Sequence, residues 1–267
     1  MTSSKSGPYA KARELIDAAH RRDPAYLSRQ LSSDLESSVN SIAPHVVTTT
    51  SMLGTSSQDE LQYADSMEEW SVSLLKTPES FFSPLLQHSG PPEELIRLAA
   101  RCQHLERFKI PRTSYPEGKA GYLKWRRDLY VIQGDRAKEL LLEAGVSEED
   151  AKLVRGWVKK EGLKPGKLEE QKVKGLEALG VQLLEDAAVL VFLQNELASF
   201  ADRHAEDYTR EKFVDIIRKT WRKLSPEGKE AAGALTLPTG VAEIVKDAMS
   251  MSIEADSAGK SDSGGIE

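Results

Sequence analysis

The chain has 267 residues, of which 39% are hydrophobic and 29% charged, with a formal net charge of −6. That length holds one large or two small domains. No apolar run reaches the roughly 18 residues of a membrane span, and the opening MTSSKSGPYAKARELIDAAH has no apolar leader segment. The single cysteine, Cys102, excludes an intramolecular disulfide and a thiolate zinc cluster, and it fits a reducing compartment, cytoplasmic or nuclear. A secreted, membrane-spanning or disulfide-built protein is excluded, and the acidic balance argues against one that coats nucleic acid through its overall charge.

Residues 1–8 read as a flexible N-terminus, and the first helix spans residues 9–20 with apolar positions three and four apart. Asp23-Pro24 then turns the chain. Residues 31–58, rich in Ser and Thr, have no clear period and are expected to form a long surface loop or disordered insertion. Asp59 to Leu75 carries Leu61, Met67, Trp70 and Leu74 on a helical repeat. After Gly90-Pro91-Pro92, the acidic pair Glu93 and Glu94 opens a helix whose apolar face runs through Cys102 and Leu105 to a stop at Lys109-Ile110-Pro111-Arg112.

Gly118 to Leu142 reads as one or two helices, and Ser147 with Asp150 resembles a capping box for a helix that stops near Gly162. Lys164 to Gly180 is charged and glycine-punctuated, which predicts a flexible insertion at about 165–181. Leu183 to Phe200 is the most apolar helix and is expected at the centre of the core. Thr209 to Leu224 follows, Ser225-Pro226 restarts a helix, and a last one runs from about Val241 to Met251. Residues 252–267 read as a disordered tail. The expectation is an all-α protein with a single domain over residues 9–251.

The acidic total hides two basic segments. Arg101 to Arg127 holds eight Lys or Arg against Glu106 and Glu117, and Thr209 to Lys229 holds seven against three acids. Both carry aromatic residues, among them Tyr122 and Trp125 in the first, with Tyr130 just beyond it, and Phe213 and Trp221 in the second. Guanidinium groups beside ring faces clamp phosphate and stack bases. The ordinary alternative is a solvated cationic helix face, with Trp125 and Trp221 plugging a core.

Two polar pairs interrupt apolar helices: Gln103-His104, and Glu185-Asp186. A buried carboxylate needs a cation, a metal or backbone N–H groups. His104 and Asp186 on two packed helices would hold a divalent metal, Mn, Fe, Co, Ni or Zn, with Gln103 and Glu106 nearby. The structural alternative makes Asp186 a helix N-terminal carboxylate and His104 a hydrogen-bonded, half-buried histidine. His20, His45, His88 and His204 have no ligand-like spacing and read as ordinary surface. No phosphate-binding glycine loop, dinucleotide fingerprint or nucleophile elbow is present, and Cys102 reads as a core residue.

The segments AARCQHLERFKIPRTSYPEGKAGYLKWRRDL, LLEDAAVLVFLQ and EKFVDIIRKTWRKLSPEGKEAAGAL, with DAAHRRDP and LQYADSMEEW before them, resemble in order the domain of unknown function 4202 family over most of residues 13–250. Ser66 stands where members often have a basic residue. More remotely, CQHLERFKIP resembles the His-Asp helix of HD-type metal phosphohydrolases, with Gln103-His104 in place of His-Asp, and EDAAVLVFL resembles the helix that supplies their last aspartate, with Asp186 in place. That resemblance implies an HD-like multi-helix fold and hydrolysis of a phosphate ester by metal-activated water.

The expected function is binding or hydrolysis of a phosphorylated small molecule or nucleotide. His104 and Asp186 would ligate metal, Glu106 or Glu185 would serve as base, and Arg107, Arg112, Arg126, Lys219 and Arg222 would hold the anion. The alternative is a non-catalytic helical adaptor that meets RNA or a protein. No membrane partner is expected. A glutamyl-tRNA synthetase reading has no support, because the His-Ile-Gly-His-like and Lys-Met-Ser-Lys-Ser-like signatures are missing.

Overall fold

Residues 7–42, 58–77, 80–86, 93–163, 175–238 and 240–250 are described by a computed structural model. Every regular element among them is helical: α1 (Pro8–His20), α2 (Pro24–Ile42), α3 (Glu60–Leu75), α4 (Glu93–Arg101), α5 (Gly118–Ala144), α6 (Glu148–Val158), α7 (Leu176–Val191), α8 (Leu197–Arg203), α9 (Arg210–Trp221), α10 (Pro226–Gly233) and α11 over 240–250, with short 3₁₀ turns and one π turn between them. No helix among these residues is long and apolar enough to cross a membrane.

The helix starts follow local chemistry. Asp59 accepts from the Gln62 N–H at 3.0 Å while the Gln62 side chain accepts from the Asp59 N–H, a reciprocal cap for α3. Ser147 caps α6 through Asp150 N–H, and Ser225 caps α10 through Gly228 N–H. Gly145, at φ 92°, closes α5, and the Val146 N–H reaches back to the Leu141 carbonyl at 3.0 Å.

Helix α7 forms the centre, with thirteen of its sixteen residues buried. It packs on α3, α6 and α10, while α5, the longest helix, lies along α6 and α1. Cys102 is fully buried among apolar neighbours, as a core cysteine. Arg101 is 1% exposed and ties three helices together, donating to Asp17 of α1 at 2.7 Å and to Asp65 and Glu68 of α3 at 2.7 and 2.9 Å. A buried guanidinium is tolerable only with such a set of carboxylates.

Four expectations need correction. The Ser-rich stretch that reads as a loop from residue 31 is helical to Ile42, with the Ser28 and Ser32 hydroxyls turned onto the carbonyls of Pro24 and Ser28, four residues back; residues 43–57 lie outside the described set. Helix α7 starts at Leu176, inside the stretch expected to be flexible at 165–181, and its buried Leu179, Val181 and Leu183 explain why; residues 164–174 lie outside the described set.

The third correction bears on the site. The helix from Glu93 ends at Arg101, and Cys102–Glu106 forms successive turns with His104 at φ 60° and Glu106 at φ 53°. Left-handed backbone at a non-glycine residue costs about 1–2 kcal/mol, so packing and pairing on both sides must hold it. His20, read as surface, is fully buried, and its Nε2 lies 2.7 Å from the Arg101 carbonyl oxygen.

Candidate functional site: a cationic, aromatic-walled cavity

Where the 102–106 turns leave the α4 axis, they open a cavity of about 470 Å³ between α3, α5, α7 and α9. Helix α5 supplies one wall. Tyr122, Trp125, Arg126, Leu129, Tyr130 and Gln133 lie three or four apart and so share one face. Tyr63 of α3 and Phe192 and Phe200 beyond α7 add further rings.

Four cations line this space: Arg107, Arg126, Lys160 and Lys223. Arg107 sits over the Trp125 ring, 4.9 Å from its centroid, and lies 2.8 Å from His104 Nε2. Arg126 donates to the Tyr130 hydroxyl and stands 5.5 Å from that ring's centroid. Burial opposes the Arg126 charge, but the tyrosine oxygens around it and Glu185 raise its pKa all the same. Lys160, held at φ 55° just past α6, lies 5.3 Å from the centroid of the Tyr130 ring.

Two carboxylates face these cations. Glu185 is paired with Lys160 and, at 3.2 Å, with Lys223, and despite its burial the two ammonium groups pull its pKa down to about 2. Glu196 also lines the cavity; burial raises its pKa, which Arg107 and Arg203 partly offset. His104 lies nearly parallel to Tyr63, with ring centroids 3.8 Å apart. Burial, then the Arg107, Lys160 and Arg126 charges, hold the imidazole well below its ordinary value. It is neutral, so the charged groups of the cavity are four cations facing two carboxylates, a predominantly cationic lining.

The backbone around this cavity is unusual in three places. His104 and Lys160 are two of the three non-glycine residues with positive φ among the described residues. The chain also runs through a π turn at Phe192–Glu196, whose first and last residues both line the cavity. Strained residues and π turns concentrate at functional sites.

The expected site residues divide accordingly. His104, Arg107, Arg126 and Glu185 come together here. Asp186 does not join them: it is fully buried and accepts from the Ser225 N–H at 3.1 Å, the Ser225 hydroxyl and the Gln182 amide at 2.6 Å. It secures the start of α10 to α7, one helical position away from Glu185. His104 and Asp186 therefore do not share a site, and no group of three or more His, Cys, Asp or Glu among the described residues is arranged to hold a metal.

The remaining expected residues lie elsewhere. Glu106 pairs with Arg22 at 3.0 Å, Lys109 at 2.8 Å and Arg136 at 3.3 Å. Arg112 donates to the Tyr115 and Pro116 carbonyls, both at 2.9 Å, and so braces the loop before α5. Lys219 pairs with Asp215 at 2.5 Å, and Arg222 is exposed. The two basic segments meet only partly, with Arg107 and Arg126 from the first and Lys223 from the second.

Sequence reasoning did not single out Tyr63, Gln133, Lys160 or Glu196. The spacing of Tyr122, Arg126, Tyr130 and Gln133 was the available signal for the α5 wall. Lys160 had none, because it sits in an ordinary charged run between Lys159 and Glu161. His45 and His88 lie outside the described residues, while His204 is half-buried and stacks on Tyr208 with centroids 4.6 Å apart.

The profile of a family described as a domain of unknown function (DUF4202) matches residues 10–245. No curated protein and no solved structure matches the chain.

Proposed function

The chain belongs to the DUF4202 family, and on that footing we propose that its cavity binds a phosphorylated aromatic small molecule of the nucleotide class. The observation that carries this reading is the joint placement of Arg107, Arg126, Lys160 and Lys223 among six aromatic rings in one concave space. A phosphate would find charge-assisted donors, and a planar base would find ring faces to stack on. The strain at His104 and Lys160 supports the reading, because both strained residues point their function at the same space.

Binding is favoured over HD-type metal hydrolysis, since Asp186 is already engaged by Ser225 and Gln182 and Glu106 by three cations. Residues on a concave, half-enclosed wall also favour a small ligand over RNA, which would need the cations laid along an open face.

Calorimetric titration of the full chain with nucleoside triphosphates tests this. One-to-one binding is expected. Arg107→Met and Arg126→Met each weaken it about ten-fold or more, because a hydrogen bond to a charged group is worth about 1.5–3 kcal/mol. Lys219→Met, outside the cavity, leaves it unchanged. Equal losses from Lys219→Met and Arg126→Met, or binding to single-stranded RNA with a steep salt dependence and none to nucleotides, overturns the reading.

A further inference from the structure

The two carboxylates of the cavity are used differently. Glu185 spends both oxygens on Lys160 and Lys223, and Arg126 also feels its charge. Glu196, the last residue of the π turn, makes no side-chain hydrogen bond or ion pair among the described residues. It is half-buried, and both of its oxygens keep accessible surface in the cavity that it lines. It stands eleven residues beyond Glu185, about 16 Å at the rise of a helix. The cations that act on it against burial are Arg107 and Arg203, rather than the three gathered about Glu185. Phe192 and Phe200, four residues before and after it, line the same cavity with ring centroids 5.8 Å apart. Burial and then the Glu196 charge raise the pKa of Tyr63, which puts a third ring near this carboxylate. A carboxylate here repels phosphate, and a leucine or glutamine would line the space without that repulsion. Its use lies with a ligand group that donates.

We propose that Glu196 selects guanine: its two free oxygens accept from the adjacent N1–H and 2-amino groups of the base, while Arg126, Lys160 and Lys223 hold the phosphates at the other end of the cavity. This rests on the nucleotide-binding reading of the cavity. Two parallel N–H donors on one carboxylate make a charge-assisted, two-pronged pair. Guanine is the common base with two adjacent donors. Adenine and cytosine set an amino group beside an acceptor nitrogen, which would face the second oxygen, and uracil sets its N–H between two carbonyls. The Phe192, Phe200 and Tyr63 rings suit a planar base at this end. The spacing of Glu185 and Glu196 exceeds the length of inorganic triphosphate and matches an extended nucleoside triphosphate.

The test titrates the wild-type chain and Glu196→Gln with tripolyphosphate, GTP, dGTP, ATP and ITP, the last being GTP without its 2-amino group, and thermal melts accompany the titrations. The wild type is expected to bind GTP about ten-fold or more tighter than ATP or ITP, and dGTP within about two-fold of GTP. Glu196→Gln cuts the margin of GTP over ITP to about two-fold or less, because an amide N–H then faces one of the base donors. It leaves tripolyphosphate binding unchanged or tighter, since a negative charge has gone, and it melts as the wild type does.

Nucleotide binding without a guanine preference, or a GTP margin that survives in Glu196→Gln, overturns the inference and leaves the nucleotide-binding reading standing. A preference for GTP over dGTP that vanishes in Glu196→Gln would assign the carboxylate to the ribose 2′-hydroxyl and overturn the base assignment. Equal weakening of every ligand with a lower melting temperature would make Glu196 a structural residue and overturn it too. If neither tripolyphosphate nor any nucleotide binds the wild type, the nucleotide-binding reading itself fails, and this inference falls with it.

Discussion

The imidazole of His104 lies 14° from parallel with the phenol ring of Tyr63, so two uncharged rings from separate elements stack face to face in the cavity wall. Burial and the neighbouring Arg107, Lys160 and Arg126 hold the His104 ring well below its ordinary 6.5. An unfolded chain takes up a proton there as pH falls through 6.5, and the native chain does not. The stability contributed is therefore fully present above pH 6.5 and is lost as pH drops below it. His104→Asn, which tolerates the same left-handed backbone, should melt with a shallower loss between about pH 6.5 and 5.5 than the wild type. A His104 ring resonance that titrates near 6.5 in the folded protein would contradict this.

Asp186 has the opposite sign. Burial raises its pKa to about 7, against hydrogen bonds from Ser225 and Gln182 and with a small push from Glu185. Between its ordinary 3.8 and 7 the native chain holds a proton that the unfolded chain has released. Its contribution to stability is thus fully present below 3.8 and is lost as pH rises through 7. Asp186→Asn keeps an acceptor for the Ser225 N–H and removes the titration, so its melting temperature should decline less than the wild type's from about pH 5 to 8. Asp186→Ala should be destabilised at every pH, by about 1–3 kcal/mol for each buried donor left without an acceptor, in denaturant melts.

Two glycines invert the usual effect of alanine in a helix, which is to stabilise by about 1 kcal/mol. A β-carbon on Gly228 would lie 2.7 Å from Asp186 Oδ2, and one on Gly180 would lie 2.2 Å from the Trp157 ring. Gly228→Ala and Gly180→Ala should each lower stability by about 1–3 kcal/mol. Gly233→Ala meets nothing within 4 Å and should be neutral or mildly stabilising. Equal melting temperatures for all three variants would show that α7 can move away from its neighbours.

What the amino-acid order made legible was local. Ser147 and Ser225 announce helix starts because a capping hydroxyl needs only the N–H three residues on, and the apolar run around Leu183 to Val191 marks the central helix because burial needs apolar residues on every face. The turn at 102–106 was hidden because nothing in QHLE breaks a helix; Tyr63, Arg22 and Arg136, all distant in sequence, stabilise it. Glu185 and Asp186 illustrate the limit most sharply. They are adjacent, both buried and chemically alike, yet a helix separates neighbours by about 100°, so one meets two lysines at the cavity and the other a serine behind it. The order of residues names the pair and leaves open which member faces the ligand.

The π turn at Phe192–Glu196 has a consequence for how this protein tolerates insertion and deletion. Such a turn holds one more residue than the α turn it replaces, so everything after it is indexed one position late relative to α7. Removing a single residue there, of any type, would restore an even screw and swing the following helix by about 100°, carrying Phe200 off the wall that it shares with Phe192. That side of the cavity is set by a count of residues rather than by their identity, and a one-residue deletion should empty it more thoroughly than most substitutions.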